Sequence, residues 1–158
     1  MNRFLIASLL LLSCHLEAST KKNQAITQDK QPTLTRITTE AESKKALASG
    51  CTVIMFTADW CNYCKNMKPI FESLSKNTHQ QPVTYAYVDL GKSFTDLSEI
   101  TVKLQKELNL EITMIPAFLV FKNGKLVGKP ILGSQTEEQL KKALSDEINR
   151  SSSNTSKS

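Results

Sequence analysis

Histidine is scarce in this chain, occurring only at positions 15 and 79, and tryptophan occurs once, at position 60. His15 falls in a segment read below as a leader. His79 sits among Asn77, Thr78, Gln80 and Gln81 and reads as a surface loop residue, not a catalytic or metal-binding one. Cysteine is limited to four residues, Cys14, Cys51, Cys61 and Cys64. One C-x-x-C supplies two metal ligands, and neither Cys51 nor His79 has the spacing to complete a zinc site, so no metal and no cofactor is expected. The chain also lacks any basic run interleaved with aromatics, which argues against a nucleic-acid partner despite a formal net charge of +5. Its lysines stand beside glutamates at 40–45, 103–107 and 137–142, the pattern of solvated helix faces.

No apolar run is long enough to cross a bilayer as a permanent helix. The longest, Phe4-Leu5-Ile6-Ala7-Ser8-Leu9-Leu10-Leu11-Leu12 after Arg3, suits the h-region of a secretory signal, so residues 1–18 are read as a leader and the product as exported. Two processing routes compete. Ala18 offers a cut before Ser19, whereas Leu11-Leu12-Ser13-Cys14 resembles a bacterial lipoprotein signal in which Cys14 is lipidated. The expected location is therefore periplasmic, either soluble or lipid-anchored through Cys14. Residues 19–36 are polar, without apolar period, and read as a flexible linker; the serine-rich segment 150–158 reads as a disordered tail. Between them, residues 37–149 are enough for one domain with its own core.

Within that domain, strand and helix patterns alternate. Thr38 or Thr39 caps a short helix over 40–49, which Gly50 closes. Strands are expected at 51–57, 83–89 and 117–121, and helices over 62–76 and 93–109, the second with Phe94, Leu97, Ile100, Leu104 and Leu108 at helical spacing. Pro69 lies inside the first of these helices and should kink it. Asn123-Gly124 signals a two-residue hairpin into Lys125-Leu126-Val127. Thr136 and Gln139 fit a capping box for a last helix with Leu140, Ala143, Leu144 and Ile148 on its inner stripe. Alternation of this kind gives an α/β sandwich with a mixed central sheet flanked by helices.

The stretch most suggestive of chemistry is Trp60-Cys61-Asn62-Tyr63-Cys64, at the junction of the apolar strand 51–57 and the helix from 62. Two thiols three positions apart share one helical turn and can close a small reversible disulfide. At a helix N-terminus, unpaired N–H groups and the macrodipole favour a thiolate. Cys61, the more exposed, is assigned the attacking role and Cys64, one turn in, the resolving role. Cys51 opens a buried strand and reads as a small core hydrophobe.

The W-C-x-x-C after an apolar strand, Pro69 in the following helix, Ile115-Pro116 before a second apolar strand and the hairpin Phe121-Lys122-Asn123-Gly124-Lys125 together resemble the thioredoxin family over residues 37–148. The resemblance implies a thioredoxin-like three-layer sandwich and a thiol-disulfide oxidoreductase. It further implies that Pro116 is cis and faces the disulfide, that Ile115 offers its backbone to an extended substrate, and that Trp60 is an apolar platform beside Cys61. Disulfide-containing protein substrates follow, as does, for an exported protein, a membrane thiol electron donor.

Two departures from the family matter. Met55 stands where it carries a buried aspartate, and Tyr85 where it carries the paired lysine, so proton transfer from Cys64 needs another base or water. Asp59 is adjacent but expected to point outward. Asn62-Tyr63 lacks the histidine of strong oxidases, and the connection from Asp89 to Ile115 is too short for the helical domain that periplasmic oxidases insert, so a reductase is favoured. No dimerisation segment of the isomerase kind is present, so a monomer is expected. The alternatives are an oxidase or isomerase, and a non-catalytic peptide-binding module on the same fold.

Overall fold

Every residue from Cys51 to Thr57 is buried, which requires both edges of this segment to find backbone partners and both faces to be covered. In the computed structural model, which describes residues 34–76 and 82–150, this segment is β2 of a five-stranded sheet. The chain runs β1 (Thr35–Ile37), α1 (Glu40–Leu47), β2 (Cys51–Thr57), α2 (Asn62–Lys76), β3 (Val83–Asp89), α3 (Glu99–Leu108), β4 (Ala117–Lys122), β5 (Lys125–Leu132) and α4 (Glu137–Arg150). The strand order is β1-β3-β2-β4-β5. β2 pairs in parallel with β3, from Cys51 opposite Val83 to Thr57 opposite Asp89, and antiparallel with β4, from Cys51 opposite Lys122 to Phe56 opposite Ala117.

Helices cover both faces. On α2, Cys64, Met67, Phe71 and Leu74 recur at helical spacing and are buried. Phe71 packs against Tyr85 of β3 and Phe118 of β4, with ring centroids 5.2 and 5.4 Å away. α4 lies beside α2 and presents Leu140, Leu144 and Ile148 to the core. The opposite face carries Thr52, one residue out of phase with Val53, whose hydroxyl donates to Ala46 O of α1 at 2.6 Å. α3 lies next to α1, where Lys103 meets Glu40 at 3.5 Å. Helix, sheet and helix thus form three layers.

Local signals explain most element ends. Thr39 and Glu42 form a capping box at α1, and Thr136 and Gln139 exchange hydrogen bonds of 2.9 and 3.2 Å before α4. Asn123 and Gly124 both have positive φ in the β4–β5 turn. β5 continues to Leu132, past the short strand expected at 125–127, because it is the outer strand and tolerates Pro130 there. Gly128 in β5 has φ of +67°, and a Cβ there would collide with the Glu147 side chain of α4.

Three expectations need correction. The linker boundary at 37 falls inside β1, whose pairing with β3 incorporates Thr35 and Arg36 although only Ile37 is buried. The helix expected from 93 begins at Glu99, because Ser98 is its N-cap, accepting from Thr101 N, and Ser93 accepts from Thr95 N and Asp96 N to hold a loop instead. Phe94 therefore leaves the stripe it would have joined as core cover. Arg150, placed at the start of the tail, ends α4. The leader with Cys14, the linker through residue 33, His79 and residues 151–158 lie outside the described residues.

Phe71→Ala should remove a fully buried ring between Tyr85 and Phe118 and destabilise the domain by about 3–5 kcal/mol. Urea unfolding checks this, the midpoint falling at unchanged slope.

Candidate active site

The chain leaving β2 turns once before α2, closed by the N–H of Cys61 donating to Ala58 O at 3.1 Å. Cys61 then stands at the cap of α2: its carbonyl accepts from Lys65 N at 3.2 Å, and its sulfur accepts from Cys64 N at 3.1 Å. Sulfur here takes the place a serine or aspartate oxygen takes at an ordinary helix start, so the Cys64 N–H of the first turn faces Cys61 Sγ. The first turn of α2 holds no acidic residue that would oppose negative charge there. Cys61 and Cys64 form a disulfide with Cα atoms 5.2 Å apart. Cys61 is 7% exposed and Cys64 1%, so attack from outside reaches Cys61 first.

Ile115 and Pro116 come to the same place from the far end of the domain. Ile115 O lies 3.9 Å from Cys61 Sγ, and the Ile115–Pro116 bond is cis. Pro116 O accepts from Gly133 N at 2.8 Å, which fastens the segment to the end of β5. Met114, half exposed, precedes them on the surface.

Trp60 is 44% exposed, and its Nε1–H donates to Gly91 O at 2.8 Å. Phe94 meets the indole edge-on, with ring centroids 5.5 Å apart and planes at 70°. Helical spacing had placed Phe94 in the core. A clue was available in Gly91-Lys92-Ser93, a turn-prone run before the apolar residues.

Met55 is fully buried and apolar, and Tyr85 is packed on Phe71 with its phenol pushed far up by burial and by the neighbouring Cys51. Polar groups instead border a cavity of about 70 Å³ lined by Thr57, Asp59, Cys64, Lys68, Tyr87 and Asp89. The volume admits water. Lys68 Nζ sits 4.2 Å over the Tyr87 ring, and Asp89 accepts from Gly91 N at 3.0 Å with Arg36 at 3.9 Å. Asp59 is exposed but also lines this cavity, so it is less remote than its outward reading implied. Among the described residues no cluster of potential metal ligands occurs.

The described residues include one free cysteine, Cys51, which is buried at the start of β2 and has its thiol pushed up by burial, partly offset by Lys122.

The thioredoxin family profile matches residues 33–146. Thioredoxin of Ictalurus punctatus is 32% identical over 94 residues, 60% of this chain and 77% of that protein. Thioredoxin of Buchnera aphidicola subsp. Baizongia pistaciae is 35% identical over 104 residues, 65% of this chain and 79% of that one. In three dimensions the chain is similar to thioredoxin of Malassezia sympodialis, with TM-score 0.58 and 24% identity over 73% of this chain and 91% of that one. Thioredoxin from Trypanosoma brucei brucei gives 0.57 and 24% over 77% and 96%.

In the reduced protein, iodoacetamide near neutral pH should modify Cys61 and leave Cys51 unmodified, since alkylation needs an accessible thiolate. Peptide mass mapping before and after denaturation checks this, with Cys51 labelled only in the unfolded chain.

Proposed function

The chain belongs to the thioredoxin family of thiol-disulfide oxidoreductases, and on that premise we propose that it is an exported reductase of protein disulfides. The observation that carries the reading is the capping of α2 by Cys61 sulfur, with the Cys64 N–H directed at it. In the dithiol state that N–H and the helix N-terminus stabilise a Cys61 thiolate.

The thiolate attacks one sulfur of a substrate disulfide, forming a Cys61–substrate bond and expelling the other substrate sulfur as a thiolate. Cys64 loses its proton to water in the adjoining cavity and attacks Cys61 Sγ. The second substrate sulfur leaves, and the Cys61–Cys64 disulfide remains. Two electrons have passed to the substrate. Ile115 and Pro116, beside Cys61, are the backbone that an extended substrate segment meets, and Trp60 is the apolar surface next to the nucleophile.

Reduction is favoured over oxidation because stabilisation of the thiolate is modest. One N–H faces the sulfur, and Asn62-Tyr63 brings no cation between the cysteines. The reading of export is supported by Arg3 and the apolar run at 4–12, and an exported domain is out of reach of cytosolic reductants. A membrane thiol donor then returns Cys61 and Cys64 to the dithiol. The domain acts as a monomer.

Equilibration with glutathione tests the direction: a potential near about −270 mV is expected for a reductase, and one near about −120 mV would make the protein an oxidase. Cys61→Ser should abolish reduction of a protein disulfide, while Cys64→Ser should accumulate a mixed disulfide visible on a non-reducing gel. Reduction surviving Cys61→Ser would remove this reading.

A further inference from the structure

The loop 91–98 closes on itself. Gly91 bridges to Leu97, Lys92 N and Ser93 N both donate to Asp96 O, and Ser98 N donates to Leu90 O at 2.7 Å. Gly91 has φ of +122°, and a Cβ there would lie 2.4 Å from Asp96 O. The Ser98 hydroxyl donates to Asp89 O at 2.6 Å, which ties the loop to the end of β3. None of these bonds involves the Phe94 side chain. The loop is built by its backbone and its serines, and Phe94 is carried on it.

What Phe94 touches is Trp60, the residue before Cys61. The indole is held from behind by Gly91 O of the same loop, so loop and ring form one unit. A phenylalanine present only to cover the indole would leave the pair largely buried, yet Phe94 is 43% exposed and Trp60 44%. An isolated exposed apolar residue needs no explanation. Two exposed aromatic rings in contact, one of them on the residue next to the reactive cysteine, form an apolar surface. The reaction itself fixes the occupant of that surface, because a sulfur that reaches Cys61 brings its own flanking residues.

We propose that Phe94 is a specificity-determining residue that, with Trp60, selects protein disulfides whose reacting cysteine is preceded or followed by an aromatic or large aliphatic side chain. This rests on Cys61 being the residue that attacks, as proposed above. The substrate side chain extends the edge-to-face pair and covers the exposed parts of both rings, which removes apolar surface from water as the mixed disulfide forms.

The test uses the full chain carrying Cys64→Ser, reduced, so that only the attack step is seen. The probes are two symmetric disulfide-linked peptide dimers, identical except that each cysteine is flanked by phenylalanine in one and asparagine in the other. An uncharged counterpart keeps Lys92 from contributing. The expected ratio of attack rates, phenylalanine over asparagine, is about fivefold to tenfold. It should fall toward unity when Phe94→Ala is added and return with Phe94→Leu.

A ratio near unity without the Phe94 change, or one that survives Phe94→Ala, overturns the proposal. So does an equal loss on both probes, which would mean that Phe94 merely supports Trp60. If neither dimer reacts, the assignment of Cys61 fails, and selectivity is read from non-covalent binding of the same peptides with serine for cysteine, followed by the fluorescence of the single tryptophan. The same ratios then decide. Thermal unfolding of each variant shows that the loop and domain are folded, and Phe94→Leu supplies the comparison if the alanine variant is not.

Discussion

The complete burial of β2 is the constraint on which the rest depends. A strand with no solvent on either edge satisfies its amides only by pairing with both β3 and β4, so the two flanking strands are set by hydrogen-bond demand as much as by apolar packing. That pairing has a chemical consequence. Phe56 near the end of β2 lies opposite Ala117 at the start of β4, so the chain leaving β2 toward Cys61 and the chain entering β4 through Ile115 and Pro116 emerge side by side. The contact between Cys61 Sγ and Ile115 O is the continuation of the sheet register beyond the last paired residues.

Electrostatics at the dithiol is assembled from helix geometry more than from charged side chains. The sulfur of Cys61 occupies a helix cap, where N–H groups point outward without intrahelical partners. In the proposed cycle this helix cap, with neither histidine nor lysine between the two cysteines, is what favours the Cys61 thiolate. Met55 is buried and apolar, and the polar surroundings of Cys64 are those of the cavity it lines together with Asp59 and Asp89. Water at that cavity substitutes for a buried base in the proposed cycle.

The loop between β3 and α3 carries both contacts of the Trp60 side chain described above. Asp89 and Ser98 anchor its base, Gly91 supplies a conformation closed to other residues, and Trp60 is bound to its carbonyl. The aromatic pair of Trp60 and Phe94 therefore belongs to two segments that are 31 residues apart at the hydrogen bond joining them. The loop is held by backbone and serine hydrogen bonds that do not involve the Phe94 side chain.

Much of the fold was legible because its signals are local. The period of the apolar residues marked β2, α2 and β3 at their observed ends, a threonine cap marked the start of α1 and a capping pair that of α4, and Asn123-Gly124 marked the hairpin. The spacing of Cys61 and Cys64 announced a dithiol, since three residues and one helical turn suffice to join them. Tertiary structure alone decided the rest. It drew Thr35 into the sheet, kept residues 93–98 out of α3, turned Phe94 toward Trp60 and brought Ile115 to Cys61 across 54 residues of sequence. Each of these depends on which distant backbone group accepts a hydrogen bond or which distant surface is left to cover, and such choices leave no period or spacing in the chain that makes them.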